Sequence, residues 1–165
     1  MNIISVFRNK VVLLLFFVAT LAVNVFSQDK GYQAFEGTRI SMKVPEGFEK
    51  VQGQEVFFHQ GSGTTIQVKE VPNIASVYTM QAFTKEALEE NEGVVFISSE
   101  DIQVASGLDG KLITVGFNVE GMDYERMMLI TGDYNYSVII NANYPKMTKK
   151  LMFDVLKKSL ISIKF

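Results

Sequence analysis

Apolar and polar residues alternate strictly in a short segment that follows a polar stretch of the chain. Residues 28–37 are polar and glycine-punctuated, and they predict an irregular lead-in. Over residues 39–44, Ile40, Met42 and Val44 then fall on one face, with polar side chains on the other. Because successive side chains of a strand point to opposite faces, this period of two predicts a half-buried β-strand.

The same alternation returns in two neighbouring segments. Residues 55–60 and 64–71 flank Gly61-Ser62-Gly63, and Ile66 and Val68 share one face of the second segment. Glycine adopts the positive φ angles that tight reversals need. The pattern therefore predicts a β-hairpin.

The period changes to that of a helix over residues 79–91. Apolar and small residues recur there at intervals of three and four, which predicts an amphipathic helix. Thr79 is the predicted N-cap and Gly93 the predicted stop. The predicted buried face consists of Met80, Phe83, Thr84, Ala87 and Leu88.

A run of further strands follows this helix. Turn residues recur at a spacing of about ten, which predicts an antiparallel meander. Residues 127–130 and 138–140 are apolar on both faces, as in strands that are covered on both sides of a sheet. The predicted strands are 94–98 and 102–105 (one strand or two), 111–120, 124–131 and 136–142.

A second helix closes the chain. Pro145 precedes it, at a position where the missing N–H of proline costs nothing. Residues 146–160 then combine a broad apolar arc with outward lysines. Strands, helix, meander and helix in this order predict an α+β domain, an antiparallel β-sheet meander flanked by two helices. The apolar strands place the two helices on opposite faces, which makes an α/β/α sandwich.

The first residues have the features of a secretory signal. Arg8 and Lys10 precede an uncharged, largely apolar run over residues 11–23, and a small residue, Ser27, precedes polar Gln28. A positive start, a short apolar run and a small residue at the end are typical of a cleaved signal peptide. Cleavage is predicted between Ser27 and Gln28.

The predicted organisation is a secretory signal peptide over residues 1–27 and a single domain over 28–165. The apolar run has 13 residues, whereas a spanning helix needs about 20. The alternative is an uncleaved leader that anchors the domain to the membrane. With cleavage, the protein is exported to a periplasmic or extracellular location.

Composition removes several classes of function. The chain of 165 residues has no cysteine, so disulfides, thiol nucleophiles and cysteine-zinc sites are excluded. Without Arg8 and Lys10, 14 basic side chains face 18 acidic ones. A net negative domain is a poor ligand for phosphate backbones, so no nucleic-acid partner is expected.

Two segments of the chain match a known pattern. Residues 40–48, ISMKVPEGF, combine a strand with Pro-x-Gly and an aromatic residue, and residues 153–163, FDVLKKSLISI, form a closing helix that ends in Ser-apolar pairs. These segments resemble the opening and the final helix of the PsbP-like family, whose fold is shared with a nuclear-import factor that binds the small GTPase Ran. The resemblance covers about residues 35–165. It implies an α/β/α sandwich and a binding or accessory role. Histidines that plant members use for metal and photosystem contacts have no counterpart, because this chain has one histidine.

Candidate catalytic groups are few. A serine–histidine pair would have to use His59, the single imidazole, with Ser62 in the adjacent turn. The competing interpretation is a histidine that ends a strand. The acidic pairs Glu89-Glu90 and Glu100-Asp101 are candidates for carboxylate chemistry, but neighbouring side chains on one element point apart. No catalytic residue is predicted.

Metal and anion sites have equally weak signals. Four aspartates fall at predicted turns, where Asp is common without any metal. They are Asp101, Asp109, Asp123 and Asp133. We predict no metal and no cofactor. The lysines of the last helix, most simply a solvated face, are Lys146, Lys149, Lys150, Lys157 and Lys158.

Four tyrosines form the predicted partner surface. Tyr124, Tyr134, Tyr136 and Tyr144 lie near the ends of the meander strands, and amphipathic tyrosines suit recognition. The leading hypothesis is an exported, non-catalytic accessory domain that binds a protein or a small apolar ligand. The alternatives are an exported hydrolase, using carboxylates or His59 with Ser62, and a structural component of the cell envelope.

Overall fold

A seven-stranded antiparallel sheet organises the domain. Its strand order is β3-β4-β5-β9-β8-β7-β6, and a separate pair, β1-β2, lies beside it. The strands are β1 (Tyr32–Ala34), β2 (Ser41–Lys43), β3 (Glu49–Lys50), β4 (Val56–His59), β5 (Thr64–Pro72), β6 (Val95–Gln103), β7 (Asp109–Val119), β8 (Met122–Gly132) and β9 (Tyr136–Pro145). This computed structural model describes residues 31–165, so the predicted leader and the Ser27–Gln28 cleavage site lie outside the described residues.

Helices cover both faces of the central strands, as the sequence predicted. The helices are α1 (Ser76–Ala82), α2 (Lys85–Glu89) and α3 (Lys149–Ile161), and a 3₁₀ turn (Lys146–Thr148) leads into α3. On β8, Met127 and Leu129 pack in the larger core with α3, whereas Met128 and Ile130 pack in a smaller core with α1 and α2. Alternate residues of a strand point to opposite faces. The predicted α+β class and α/β/α layering are therefore confirmed.

The first predicted helix differs from the structure. The helix predicted over 79–91 is two short helices, because the backbone leaves helical geometry at Phe83 and Thr84 caps α2 by accepting the N–H of Ala87 at 3.2 Å. Thr79 is no N-cap, since it lies inside α1 and its hydroxyl meets Ser137 Oγ at 2.7 Å. Helical periodicity does not reveal a two-residue break that preserves the apolar face.

The remaining differences concern strands. The predicted irregular lead-in contains β1, which pairs with β2. Residues 94–98 and 102–105 belong to one strand, β6, with a bulge between Phe96 and Ser98. Within residues 31–165, no helix has the length and apolar character to cross a membrane.

The α1–α2 layer covers part of its sheet face. At the end of β7 and β8 beyond this layer, the side chains on that face turn from aliphatic to aromatic and polar. Phe117 pairs with Tyr124 across β7 and β8, and Arg126 pairs with Asn143 across β8 and β9. All four are partly exposed. The boundary between helix cover and open sheet positions the candidate site.

Candidate functional site

A cleft lies between the helices α1–α2 and the open end of the sheet. Its volume is about 450 Å³, within the range of roughly 300–1,000 Å³ typical of small-molecule sites. Phe83 and Leu88 form the helix wall, while Val115 and Met128 form the sheet wall. These apolar walls can hold a hydrocarbon group by excluding water.

Arg126 supplies a positive charge to this cleft. Its guanidinium lines the cavity, and its Cζ lies 5.2 Å from the centre of the Phe117 ring, within cation–π distance. Phe117 in turn stacks on Tyr124 at 5.8 Å. Burial lowers the pKa of Arg126, because water no longer fully solvates the charge.

A row of hydrogen bonds across three strands orients this guanidinium. Arg126 Nε donates to Asn143 Oδ1 at 2.6 Å, and Asn143 Nδ2 donates to Thr65 Oγ1 at 3.1 Å. The row engages one nitrogen of the guanidinium. The planar fork of terminal nitrogens, which suits carboxylate and phosphate oxygens, is thereby held in a defined orientation.

A buried polar cluster occupies the opposite face of the same strand. Glu125 is 3% exposed and accepts the Tyr144 hydroxyl at 2.8 Å and the Lys149 ammonium at 2.9 Å. Burial, followed by the hydrogen bond and charge of Glu125, raises the pKa of Tyr144 well above its ordinary value. The carboxylate uses both oxygens within the protein, so this cluster fastens α3 to the sheet.

A second groove opens beside this cluster. It measures about 330 Å³ and is lined by Val95, Ile97 and Gly116, with Lys146 at its rim. The side chains of Val95 and Ile97 are exposed. Glu125 also lines this groove, but both of its oxygens are engaged within the protein.

The predicted tyrosine surface is wrong for two of its four members. Tyr144 is completely buried and Tyr136 is 5% exposed, because both lie on β9, which helices cover on both faces. Tyr124 and Tyr144 lie at one end of β8–β9, whereas Tyr134 and Tyr136 lie at the other. The four tyrosines therefore form no common surface, although half-buried Tyr124 lines the second groove.

His59 and Ser62 do meet, as the hydrolase hypothesis requires. Ser62 Oγ lies 2.8 Å from His59 Nδ1 and donates to Thr64 Oγ1 at 2.7 Å. The same Nδ1 lies 3.1 Å from the backbone nitrogen of Ser62, which donates to it. Ser62 is 7% exposed, and the His59 ring packs against Phe48. These bonds close the β4–β5 turn and leave the hydroxyl poorly accessible to a substrate.

The aspartate and lysine candidates are distributed among local contacts. Asp133 accepts the backbone N–H groups of Asn135 and Tyr136, and Asp123 accepts Asn118 Nδ2. Across residues 31–165, no three histidine, aspartate or glutamate side chains converge on a metal position. Among the lysines of the last helix, Lys149 pairs with Glu125 and Lys157 with Glu100.

The sequence analysis missed Arg126, although a signal was present. Glu125 and Arg126 are adjacent charges in a segment that continues as apolar on both faces, YERMMLI. Charges in a two-sided buried strand are costly unless they are paired or functional. Their alternation also predicts that one charge points to each face.

Comparison with known proteins establishes the fold. No protein-family model and no curated protein sequence matches the chain. Among solved structures, LpqN of Mycobacterium tuberculosis, involved in cell envelope biogenesis, is similar with a TM-score of 0.62 and 11% identity, over 82% of this chain and 92% of LpqN. A Pseudomonas aeruginosa protein of unknown function is similar with a TM-score of 0.51 and 12% identity, over 77% and 90%.

Cyanobacterial PsbP from Synechocystis is similar with a TM-score of 0.50 and 11% identity, over 76% of this chain and 85% of that protein. The chain therefore has a PsbP-like fold, in agreement with the resemblance of its two end segments. At this level of identity the likeness concerns the fold, and function must be argued from the site.

Proposed function

We propose that this PsbP-like domain is an exported, non-catalytic accessory protein that binds a small, largely apolar ligand in the cleft beneath α1 and α2. The observation that carries the proposal is the cleft itself, an apolar cavity of about 450 Å³ with a positioned cation in its wall. Export follows from the predicted leader. The accessory role is supported by the fold, which this chain shares with LpqN and cyanobacterial PsbP.

The helix wall of the cleft favours a binding role. Its helix wall consists of two short helices, of which α2 has no buried residue. Segments with few buried contacts open at low free-energy cost. The wall can therefore move to admit a ligand while β7 and β8 hold the opposite wall rigid.

Thermal unfolding with and without ligand tests the proposal. A ligand that binds only the native state stabilises it by RT ln(1 + L/Kd), where L is the free ligand concentration, so the melting temperature rises with ligand concentration. Full-length protein exported by its host would be mixed with a series of straight-chain alkyl carboxylates, alcohols and esters. Ligands carried through purification would be identified by mass spectrometry of an organic extract.

Filling the cleft provides the matched control. Leu88→Trp introduces a large side chain into the cavity, whereas Leu151→Trp places the same side chain on the exposed surface of α3, where Leu151 is 66% exposed. We expect Leu88→Trp to abolish the ligand-dependent shift and Leu151→Trp to retain it. Because the chain has no tryptophan, each variant also carries a single fluorophore. Equal shifts in both variants, or no shift with any ligand, would refute the proposal.

The hydrolase alternative rests on the 2.8 Å contact between His59 and Ser62. It predicts that the purified protein cleaves simple esters and that His59→Ala removes the activity. A structural role in the envelope predicts instead that the protein co-fractionates with insoluble envelope material and binds no soluble ligand. We rank both below ligand binding, because Ser62 is buried and the cleft is accessible.

A further inference from the structure

The charge of Arg126 has no protein counter-charge. Across residues 31–165, no carboxylate lies within ion-pair distance of its guanidinium. The adjacent carboxylate, Glu125, points to the opposite face and is paired with Lys149. Partly burying a cation without a partner costs free energy, so a merely structural arginine is disfavoured at this position.

The bonding of the guanidinium leaves donors for a ligand. Its Nε is taken by Asn143, while within the described part of the chain the terminal nitrogens donate to no protein acceptor. Phe117 and Met128, which line the same cleft, extend the apolar wall up to the charge. A ligand chain lying on that wall would bring its polar end to the terminal nitrogens.

The charge balance of the cleft indicates how much negative charge the ligand carries. Among the described residues that line the cleft, Arg126 is the one cation and exposed Glu92 the one acid. One guanidinium neutralises one negative charge, and a second charge on the ligand would face Glu92 without compensation. A carboxylate matches both the planar fork of the arginine and this single charge.

We propose that the ligand is an alkyl carboxylate, whose apolar chain lies between α1–α2 and the sheet and whose carboxylate forms a bidentate pair with Arg126. This inference rests on the proposed function and names its ligand class. Asn143 and Thr65 are positioning residues for the arginine, since they hold it through the 2.6 Å and 3.1 Å hydrogen bonds.

Three ligands of the same chain length test the inference by titration calorimetry. They are an alkyl carboxylate, its methyl ester and the corresponding alkyl phosphate, each below the concentration at which it forms micelles. Loss of a charge-assisted hydrogen bond weakens binding by about 10- to 100-fold. We expect the carboxylate to bind tighter than the ester by this factor.

Variants assign the effect to the arginine. Arg126→Gln should lower the affinity for the carboxylate to that for the ester, while the affinity for the ester stays within about 3-fold of its value in the unaltered protein. Arg126→Lys should recover part of the preference, because it keeps the charge and loses the fork. Glu92→Gln should strengthen carboxylate binding and leave the ester unchanged.

The outcomes separate this inference from the proposed function. If neither the carboxylate nor the ester binds, the cleft is no ligand site and both proposals fail. If ester and carboxylate bind equally well, the inference is overturned while the binding function stands. Tighter binding of the phosphate would overturn the carboxylate assignment. Should Arg126→Gln fail to fold, the comparison of the three ligands on the unaltered protein still decides.

Discussion

Replacing Tyr144 with phenylalanine tests how the buried cluster holds α3 on the sheet. The change removes the hydroxyl that donates to Glu125 at 2.8 Å and leaves the ring in its fully buried place. A hydrogen bond to a charged group contributes about 1.5–3 kcal/mol. We expect Tyr144→Phe to lower the free energy of unfolding near pH 7 by this amount. Tyr134→Phe, at a side chain that is 91% exposed, should change it by less than about 0.5 kcal/mol.

The pH dependence makes the test specific. Burial raises the pKa of Tyr144 above the unfolded value of about 10. As the pH rises through 10, the unfolded chain releases this proton first, while the folded protein still holds it. The stability that depends on the protonated tyrosine is therefore complete below pH 10. It falls by about 1.4 kcal/mol for each pH unit above that value.

Urea unfolding, monitored by far-UV circular dichroism, measures both effects. Tyrosine fluorescence is not used as the signal, because it changes when tyrosine ionises. The gap between the unaltered protein and Tyr144→Phe should be constant from pH 7 to pH 9. It should narrow by about 1 kcal/mol between pH 10 and pH 11, where ionisation of the unfolded tyrosine goes from half to nearly complete. All other titratable groups are present in both proteins, so their contributions largely cancel in the difference. A gap that stays constant to pH 11 would refute the role assigned to the buried hydroxyl.

Three other substitutions probe backbone, core and turn. Gly132→Ala should lower the free energy of unfolding by more than about 2 kcal/mol, because φ is +140° and a Cβ would overlap the facing β9 backbone. Gly121→Ala, where φ is +85° and the space is open, should lower it by about 1–2 kcal/mol. Urea unfolding compares the two variants. Leu156→Ala should lower the free energy of unfolding by about 2–5 kcal/mol, since the side chain is fully buried, whereas exposed Leu151→Ala should change it by less than about 0.5 kcal/mol. Ser62→Ala should cost about 1–2 kcal/mol by removing two hydrogen bonds in the β4–β5 turn, without loss of ligand binding in calorimetry.

Much of the secondary structure could be read from the pattern of side chains. The alternation around Ile66 and Val68 predicted β5, and the apolar residues at Met127–Ile130 predicted a strand covered on both faces. The short strands β1 and β3 were missed, because two or three residues carry too little periodicity. The break between α1 and α2 was missed because Phe83 continues the apolar stripe across it.

The candidate site was much less predictable. Tyr124, Tyr136 and Tyr144 look alike in the sequence, yet Tyr124 is half-buried and lines the second groove, while the other two are buried. Their burial depends on which face of which strand the helices cover. Likewise, strand register brings Tyr144 to Glu125 and Asn143 to Arg126. Lys149 reaches Glu125 because α3 packs on the same face of the sheet.

The class of fold and the leader could both be predicted from the amino-acid sequence, because both predictions depend on local periodicity and composition. Strand alternation, helical spacing and an apolar run after two cations are properties of consecutive residues. Tertiary structure alone decided that Arg126 faces an apolar cleft while Glu125 is neutralised on the opposite face. That division depends on the pairing of β8 with β9 and on the placement of short helices over one part of the sheet, neither of which is encoded in the spacing of neighbouring side chains.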